Sequence, residues 1–270
     1  MSERRESMDG LEKGIRVLRA FDETHPALTL SEVAQTAELS AAVARRCLLT
    51  LEALGYVGRR HRRFFLRPRI LDLGAAYLGS LNVERLSIGH LTDLASKTGD
   101  AASLTVLDGT DIVYLARAST RSLLRLEAHV GSRFPAYATA MGRVLLAARS
   151  DAVVRSLLSA FELTALTDKT ETNPKRIATL VAAARRDGYA AVEDELAYGV
   201  VSLAVPVLDE NGQTIAAINS SSHSKKITKN ALVRERLSQL RETSANISAE
   251  LRRLPATALL LGPIDGRDFG

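Results

Sequence analysis

One cysteine, Cys47, stands alone in 270 residues. A lone thiol makes neither an internal disulfide nor a cysteine-rich zinc site, and it fits a reducing compartment. Tryptophan is absent and aromatic residues total 4%, too few for sugar-binding platforms or for the stacked rings that hold single-stranded nucleic acid. No run approaches the ~18 apolar residues of a membrane span. Met1-Ser2-Glu3-Arg4-Arg5-Glu6 mixes charges where a signal peptide would be apolar, so the expected location is cytoplasmic, with no membrane partner. The five histidines, at 25, 61, 90, 129 and 223, show no metal-ligand spacing. Ser220-Ser221-Ser222-His223 could suggest hydrolysis, but no serine lies in a nucleophile-elbow pattern. The expectation is therefore no catalytic residue, no metal and no cofactor, with His223 at a surface or pocket edge and Glu193-Asp194-Glu195 as a solvated loop that orders part of a pocket wall.

What is present is core and arginine. Hydrophobic residues make up 46% and charged residues 25%, enough for one large or two ordinary domains. The net charge is +5, yet Ser40 to Ile70 alone holds eight arginines against one acid, Glu52, a local balance of +7. Charge gathered in one short segment is the footprint expected for an anionic polymer.

That segment also carries a pattern. Leu11 to Phe21 has helical spacing. Thr29 and Glu32 form a capping box that opens a second helix. Ser40 caps a third, Ala41 to Leu54, in which Val43, Cys47, Leu51 and Leu54 share one face; Cys47 is expected in the core. Ala41, Ala42, Arg45, Arg46 and Thr50 lie on other faces. Tyr56-Val57-Gly58 and Phe64-Phe65-Leu66 read as two strands with Arg59, Arg60, Arg62 and Arg63 at the tip and flanks. This is the order of a winged helix-turn-helix: a helix for the major groove of double-stranded DNA and a basic wing for the phosphates beside it. Ser40, Ala41, Ala42, Arg45, Arg46 and Thr50 are the candidate contacts on the helix, with Arg45 and Arg46 reaching bases or phosphates. Arg59, Arg60, Arg62 and Arg63 are the candidates on the wing.

Pro68 starts another helix, Arg69 to about Leu81, with Leu71, Leu73, Ala76 and Leu78 available for burial. It can link two domains or pair with its copy in a second chain. Beyond it the pattern changes to a helix (83–98), strands (102–107, 112–118 and 123–128), helices (139–148, 152–161 and 175–187), strands (200–208 and 214–220) and a last helix (228–254). Asp108-Gly109-Thr110-Asp111 and Asp209-Glu210-Asn211-Gly212 are hairpin turns. The expected class is α+β: a winged helix-turn-helix domain (1–67), a linker helix (68–82), an antiparallel-sheet domain (83–254) and a tail (255–270).

Several segments, in order and spacing, make the chain similar to the IclR family of bacterial transcription regulators: Val106-Leu107-Asp108-Gly109 to Ile112-Val113-Tyr114-Leu115, Tyr137-Ala138-Thr139-Ala140-Met141-Gly142-Arg143, Gly188-Tyr189 to Glu193-Asp194-Glu195 with Gly199, and Ala204-Val205-Pro206-Val207 with Ala216-Ala217-Ile218-Asn219. Leu28-Thr29-Leu30-Ser31-Glu32-Val33-Ala34, Ala44-Arg45-Arg46 and Leu66-Arg67-Pro68-Arg69 resemble the subgroup that regulates aromatic-acid catabolism through the β-ketoadipate pathway. The resemblance implies a GAF-like effector-binding domain and a homodimer or tetramer.

A ligand site is expected at Thr139, because a helix N-terminus presents unpaired amides and partial positive charge to a carboxylate. Ala138, Ala140 and Gly142 are small enough to leave room for an anion, although Thr139 could equally cap a packed helix. The resemblance implies further lining at Val192, Val200, Ser202, Asn219 and Ser221, and Val192 replaces an aspartate of some relatives. An aromatic ring against Val192, Val200 and Met141, with its carboxylate at the helix end, suits that lining. The expected function is a ligand-responsive DNA-binding regulator with a small carboxylate effector, and with RNA polymerase as a partner if it activates. The alternative is a GAF-like sensor or enzyme whose winged helix makes protein contacts.

Overall fold

A computed structural model describes residues 8–119, 128–160, 162–253 and Leu261. The chain divides between Gly79 and Ser80 into two compact units.

The first unit begins with α1 (Asp9–Leu18), β1 (Ala27–Thr29), α2 (Leu30–Thr36) and α3 (Ala41–Ala53). Strands β2 (Val57–Arg60) and β3 (Arg63–Leu66) then form a hairpin whose two-residue loop is His61-Arg62. The strand order is β1-β3-β2, antiparallel throughout. Thr29 caps α2 with a full capping box: its hydroxyl accepts from the Glu32 amide, and the Glu32 carboxylate accepts from the Thr29 amide at 2.6 Å. The Thr29 amide foremost, with the Thr29 side chain assisting, holds the Glu32 carboxyl below the usual range. Ser40 caps α3 by accepting from the Val43 amide. Val17, Leu28, Val33, Ala44, Leu48 and Val57 are buried between these elements.

The buried face of α3 differs from the expected one. Ala44, Leu48 and Leu51 face the core, while Val43 and Cys47 are only half-buried and Leu54 is exposed. The apolar stripe of α3 is wider than one face, and α1 covers only part of it. What remains is an open apolar groove between α1 and α3, lined by Leu11, Ile15, Val43, Cys47 and Leu54 among others. Cys47 therefore packs against the core, as expected, but from the groove side and only partly buried.

After a 3₁₀ turn (Pro68–Ile70) comes α4 (Leu71–Leu81), which starts two residues later than expected. Leu71, Leu73 and Ala76 are exposed and Leu78 is half-buried, so the side chains available for burial find little cover within this chain.

The second unit is a six-stranded antiparallel sheet in the order β6-β5-β4-β9-β8-β7. Its elements are α5 (Val83–Thr98), β4 (Ala101–Asp108), β5 (Asp111–Ala118), β6 (Arg133–Pro135), α6 (Ala140–Ala147), α7 (Asp151–Ala160), α8 (Pro174–Asp187), β7 (Ala190–Glu193), β8 (Val200–Leu208), β9 (Thr214–His223) and α9 (Lys229–Leu251). This is the α+β class, as expected. Both expected hairpin turns form, with Gly109 and Gly212 at positive φ. Strands β6 and β7 were not anticipated, and the strand expected over 123–128 falls on residues outside the described ones except for Ala128. Helices α5 and α9 pack together against β4, β5 and β8, while α6 packs on β8, β9 and α8. Ser244 and Ser248 on α9 bond to the Pro206 carbonyl and the Leu208 amide, where β8 is irregular. The core under α6 runs from Ile112 and Met141 through Leu146 and Val154 to Ile177 and Val181.

Candidate functional site

Two sites can be built from the residues upward. The first is basic. Ser40, Ala41, Ala42, Arg45, Arg46 and Thr50 are all exposed along α3, and Arg59, Arg60, Arg62 and Arg63 are exposed on the wing. Their surroundings separate them. The Arg63 guanidinium donates to the Ala27 carbonyl at 2.9 Å and approaches Glu32 at 3.4 Å, which ties β3 to the cap of α2. Arg59 leans over the Phe64 ring and faces Glu52 at 4.0 Å. Among the described residues Arg45, Arg46, Arg60 and Arg62 have no such partner and present unneutralised charge.

The second is a small cavity of about 20 Å³ under the N-terminus of α6. Thr139 caps that helix, its hydroxyl accepting from the Gly142 amide at 3.0 Å. At the other end Arg185 donates to the Ala147 and Arg149 carbonyls, as a cation at a helix C-terminus should. Gly142 has a different role from the one expected. A Cβ there would run into the Ala136 carbonyl, so its smallness lets α6 press on the 3₁₀ turn Ala136–Ala138 and leaves no room for an anion.

The cavity wall contains Thr139, Ala140, Met141, Val192, Val200, Ser202, Asn219 and Ser221, which the topology brings from α6, β7, β8 and β9. Ala138 is buried but lies outside the wall. Tyr114 and Leu196 belong to it and were missed. Tyr114 looked like one position in a strand alternation, and Leu196 sits beside an acidic run that reads as solvent-facing.

The polar groups at this wall include free donors, beside the Thr139 and Ser221 hydroxyls, which donate to the Ala136 and Val201 carbonyls. The Ala140 and Met141 amides, at the first two helical positions, find no acceptor among the described residues. Asn219 is consumed: its Oδ1 accepts from the Ser103 amide and its Nδ2 donates to Ser202 Oγ, both at 3.0 Å. The Ser202 hydroxyl proton is thereby left to point elsewhere. No carboxylate lines the cavity. Such a wall suits an acceptor-rich, anionic guest, with Val192, Leu196, Val200 and Met141 against its apolar part.

The acidic run is not a solvated loop. Asp194 is buried at positive φ, and its carboxylate accepts from Lys169 Nζ (2.8 Å), the Gly199 amide (2.7 Å) and Ser224 Oγ (3.1 Å). The Lys169 bond foremost holds this carboxyl below its usual range; burial opposes it, and Gly199 and Ser224 assist. Glu195 pairs bidentately with Arg143 of α6, at 2.8 Å for its Nη1 contact, and Arg143 also donates to the Tyr137 carbonyl at 3.2 Å. A charge is buried here because it is paired on every side. These contacts fix the segment 194–199, which carries Leu196, to the helix whose N-terminus borders the cavity. His223 backs the same segment at Gly199 and is partly exposed. Among the described residues no three His, Cys, Asp or Glu gather as a metal set, and no helix is long and apolar enough to cross a membrane.

Comparison with known proteins agrees in both units. Residues 10–61 match the IclR helix-turn-helix domain, and residues 75–249 match the domain described as bacterial transcriptional regulator IclR C-terminal. The chain is 36% identical over 245 residues to the Pca regulon regulatory protein of Pseudomonas putida, covering 90% of this chain and 84% of that one. It is 34% identical over 250 residues to the p-hydroxybenzoate hydroxylase transcriptional activator of Acinetobacter baylyi, covering 91% of each. The crystal structure of an IclR homologue from Microbacterium hydrocarbonoxydans complexed with 4-hydroxybenzoate superposes with a TM-score of 0.78 at 25% identity, covering 91% of this chain and all of that one.

Proposed function

The chain belongs to the IclR family of bacterial transcriptional regulators, and from that premise we propose that a small aromatic carboxylate, bound under the N-terminus of α6, controls its hold on operator DNA. The observation that carries this reading is a wall without a carboxylate that offers free donors: amides at Ala140 and Met141 and the Ser202 hydroxyl, with apolar side chains beside them. The names of the Pseudomonas and Acinetobacter relatives and the 4-hydroxybenzoate bound to the Microbacterium homologue support an aromatic-acid catabolic role. Being a regulator, the protein acts by binding and not by catalysis.

The size of the cavity bears on mechanism. At about 20 Å³ it has room for one water, whereas ligand pockets run to ~300–1,000 Å³. An aromatic acid needs the wall to move, and Leu196, between the anchored Glu195 and Gly199, is the wall residue that lies partly exposed. A ligand that fits only the opened wall binds that state better, which is what lets it shift an equilibrium. Arg143 and Glu195 then carry the change into α6. The linker α4 passes the preference to the DNA-binding unit.

At the DNA, α3 enters the major groove, with Arg45 and Arg46 at bases or adjacent phosphates, and the wing grips the backbone through Arg60 and Arg62. Arg59 and Arg63 join less freely, given their partners within the chain. The regulator works in the cytoplasm as a homodimer or tetramer, and contacts RNA polymerase where it activates. The uncovered apolar face of α4, with Leu71 at 69% exposure and a single charged residue, Asp72, supports self-association.

Thermal-shift titration with a panel of benzoates tests the effector reading. The wild type should gain stability with at least one acid, and Ala140→Asp should lose that gain while still shifting operator DNA in a gel. Undiminished affinity in Ala140→Asp would place the site elsewhere.

A further inference from the structure

Tyr114 stands on β5 between β4 and β6, 3% exposed, its ring locked edge-to-face against Phe134 at 5.6 Å. Buried tyrosine hydroxyls ordinarily find a partner. Tyr137, equally buried, donates to the Thr164 carbonyl at 2.7 Å. The Tyr114 hydroxyl bonds to nothing among the described residues. Every described side-chain polar atom that is fully sealed has a partner, so this oxygen is not fully sealed, and Tyr114 forms part of the cavity wall. A buried polar group without a partner costs stability unless something else meets it.

We infer that the Tyr114 hydroxyl is a specificity-determining donor that meets an acceptor oxygen of the effector. The inference rests on the effector reading above and adds a residue to it. Three features suit the role. Burial pushes the phenol up to about 12, with the nearby Arg117 charge opposing, so the group keeps its proton and donates throughout the physiological range. The ring is held on two sides by strand pairing and by Phe134, so the hydroxyl is positioned before the ligand arrives. The donor also approaches from β5, a different strand from those bearing Ser202 and Asn219, so it can read a second oxygen of an acid whose first is held at the amides of α6. An acid lacking an oxygen at that place leaves the hydroxyl unpaired, which is how a polar site rejects a near-isostere.

The test is Tyr114→Phe in the full chain, which keeps the ring and removes one oxygen. Calorimetric titration with benzoate and its 3-hydroxy and 4-hydroxy derivatives reads the effect. The expected result is a loss of roughly five- to tenfold in affinity, the worth of one hydrogen bond, for at least one acid that the wild type binds. The unliganded variant should melt at the wild-type temperature or above, because it no longer buries an unpaired hydroxyl. Unchanged affinity for every bound acid overturns the assignment, as does a drop of several degrees in the unliganded melting temperature, which would reveal a structural partner. Ala140→Asp separates the two readings. If it abolishes binding while Tyr114→Phe changes nothing, only the tyrosine's role falls. If the wild type binds none of the acids, the effector reading falls and takes this inference with it.

Discussion

Glu195→Ala removes one half of the ion pair that fixes the pocket wall, and the structure allows the cost to be worked out. Arg143 is 3% exposed and the Glu195 side chain 13% exposed, so neither charge has much water to fall back on. Without the carboxylate, Arg143 keeps only its bond to the Tyr137 carbonyl, and the Glu171 amide loses its acceptor as well. Truncating one partner of a buried pair costs ~3–5 kcal/mol, because the other charge is left uncompensated. For a domain of this size each kcal/mol moves the melting point by roughly 2–4 °C, so the effector-binding unit should melt about 6–20 °C lower. Differential scanning calorimetry reads that transition. Replacing both members with apolar residues, Arg143→Met with Glu195→Leu, should recover most of the loss, since the pair's desolvation disappears with it. High salt should change little, because buried charges are poorly screened. A Glu195→Ala protein that melts within about 2 °C of the wild type would refute the reasoning.

The parts of the fold that local chemistry decides were legible in the sequence. Thr29 with Glu32, Ser40 and Thr139 each cap a helix because their hydroxyls reach amides three residues on. The hairpin turns follow from Gly109 and Gly212, which take positive φ without strain. What failed depends on distant neighbours. The apolar stripe of α3 holds more residues than one face can bury, and only the position of α1 decides that Ala44 and Leu48 go inside while Cys47 lies in a groove. An acidic run reads as solvated until Arg143, 52 residues away, is seen to pair with it. Strands β6 and β7 have three and four residues, too short for a period to register. Half of the cavity wall, Val192, Val200, Ser202, Asn219 and Ser221, was named from the resemblance, and Thr139, Ala140 and Met141 followed from the helix N-terminus. Tyr114 was not named, because nothing in the alternation of β5 says that one hydroxyl on it is left without a partner.

Charge on the wing and acidity at the wall yield two more predictions. Arg60→Ala with Arg62→Ala should weaken binding to all DNA sequences alike and flatten the dependence of log K on log salt by about 0.9 for each phosphate that an arginine no longer neutralises; an unchanged slope in a gel-shift series would remove the wing from the mechanism. Asp194 sets a pH dependence whose sign follows from its partners. Its carboxyl is held below the ordinary 3.8, chiefly by the Lys169 hydrogen bond. The folded chain therefore prefers the ionised form more strongly than the unfolded chain does. That preference contributes stability wherever the unfolded group would be ionised, which is above about pH 4, and it vanishes as pH falls through the folded value. Thermal unfolding of wild type and Asp194→Asn across pH 3–7 isolates it, since other carboxylates titrate in both proteins and cancel. The wild type should be the more stable near neutrality, by a margin that is flat down to about pH 5 and shrinks toward pH 3. A margin that is the same at both ends would mean that the Asp194 charge does not hold the segment. The bonds from Lys169, Gly199 and Ser224 would then be too weak to set the position of Leu196 at the cavity.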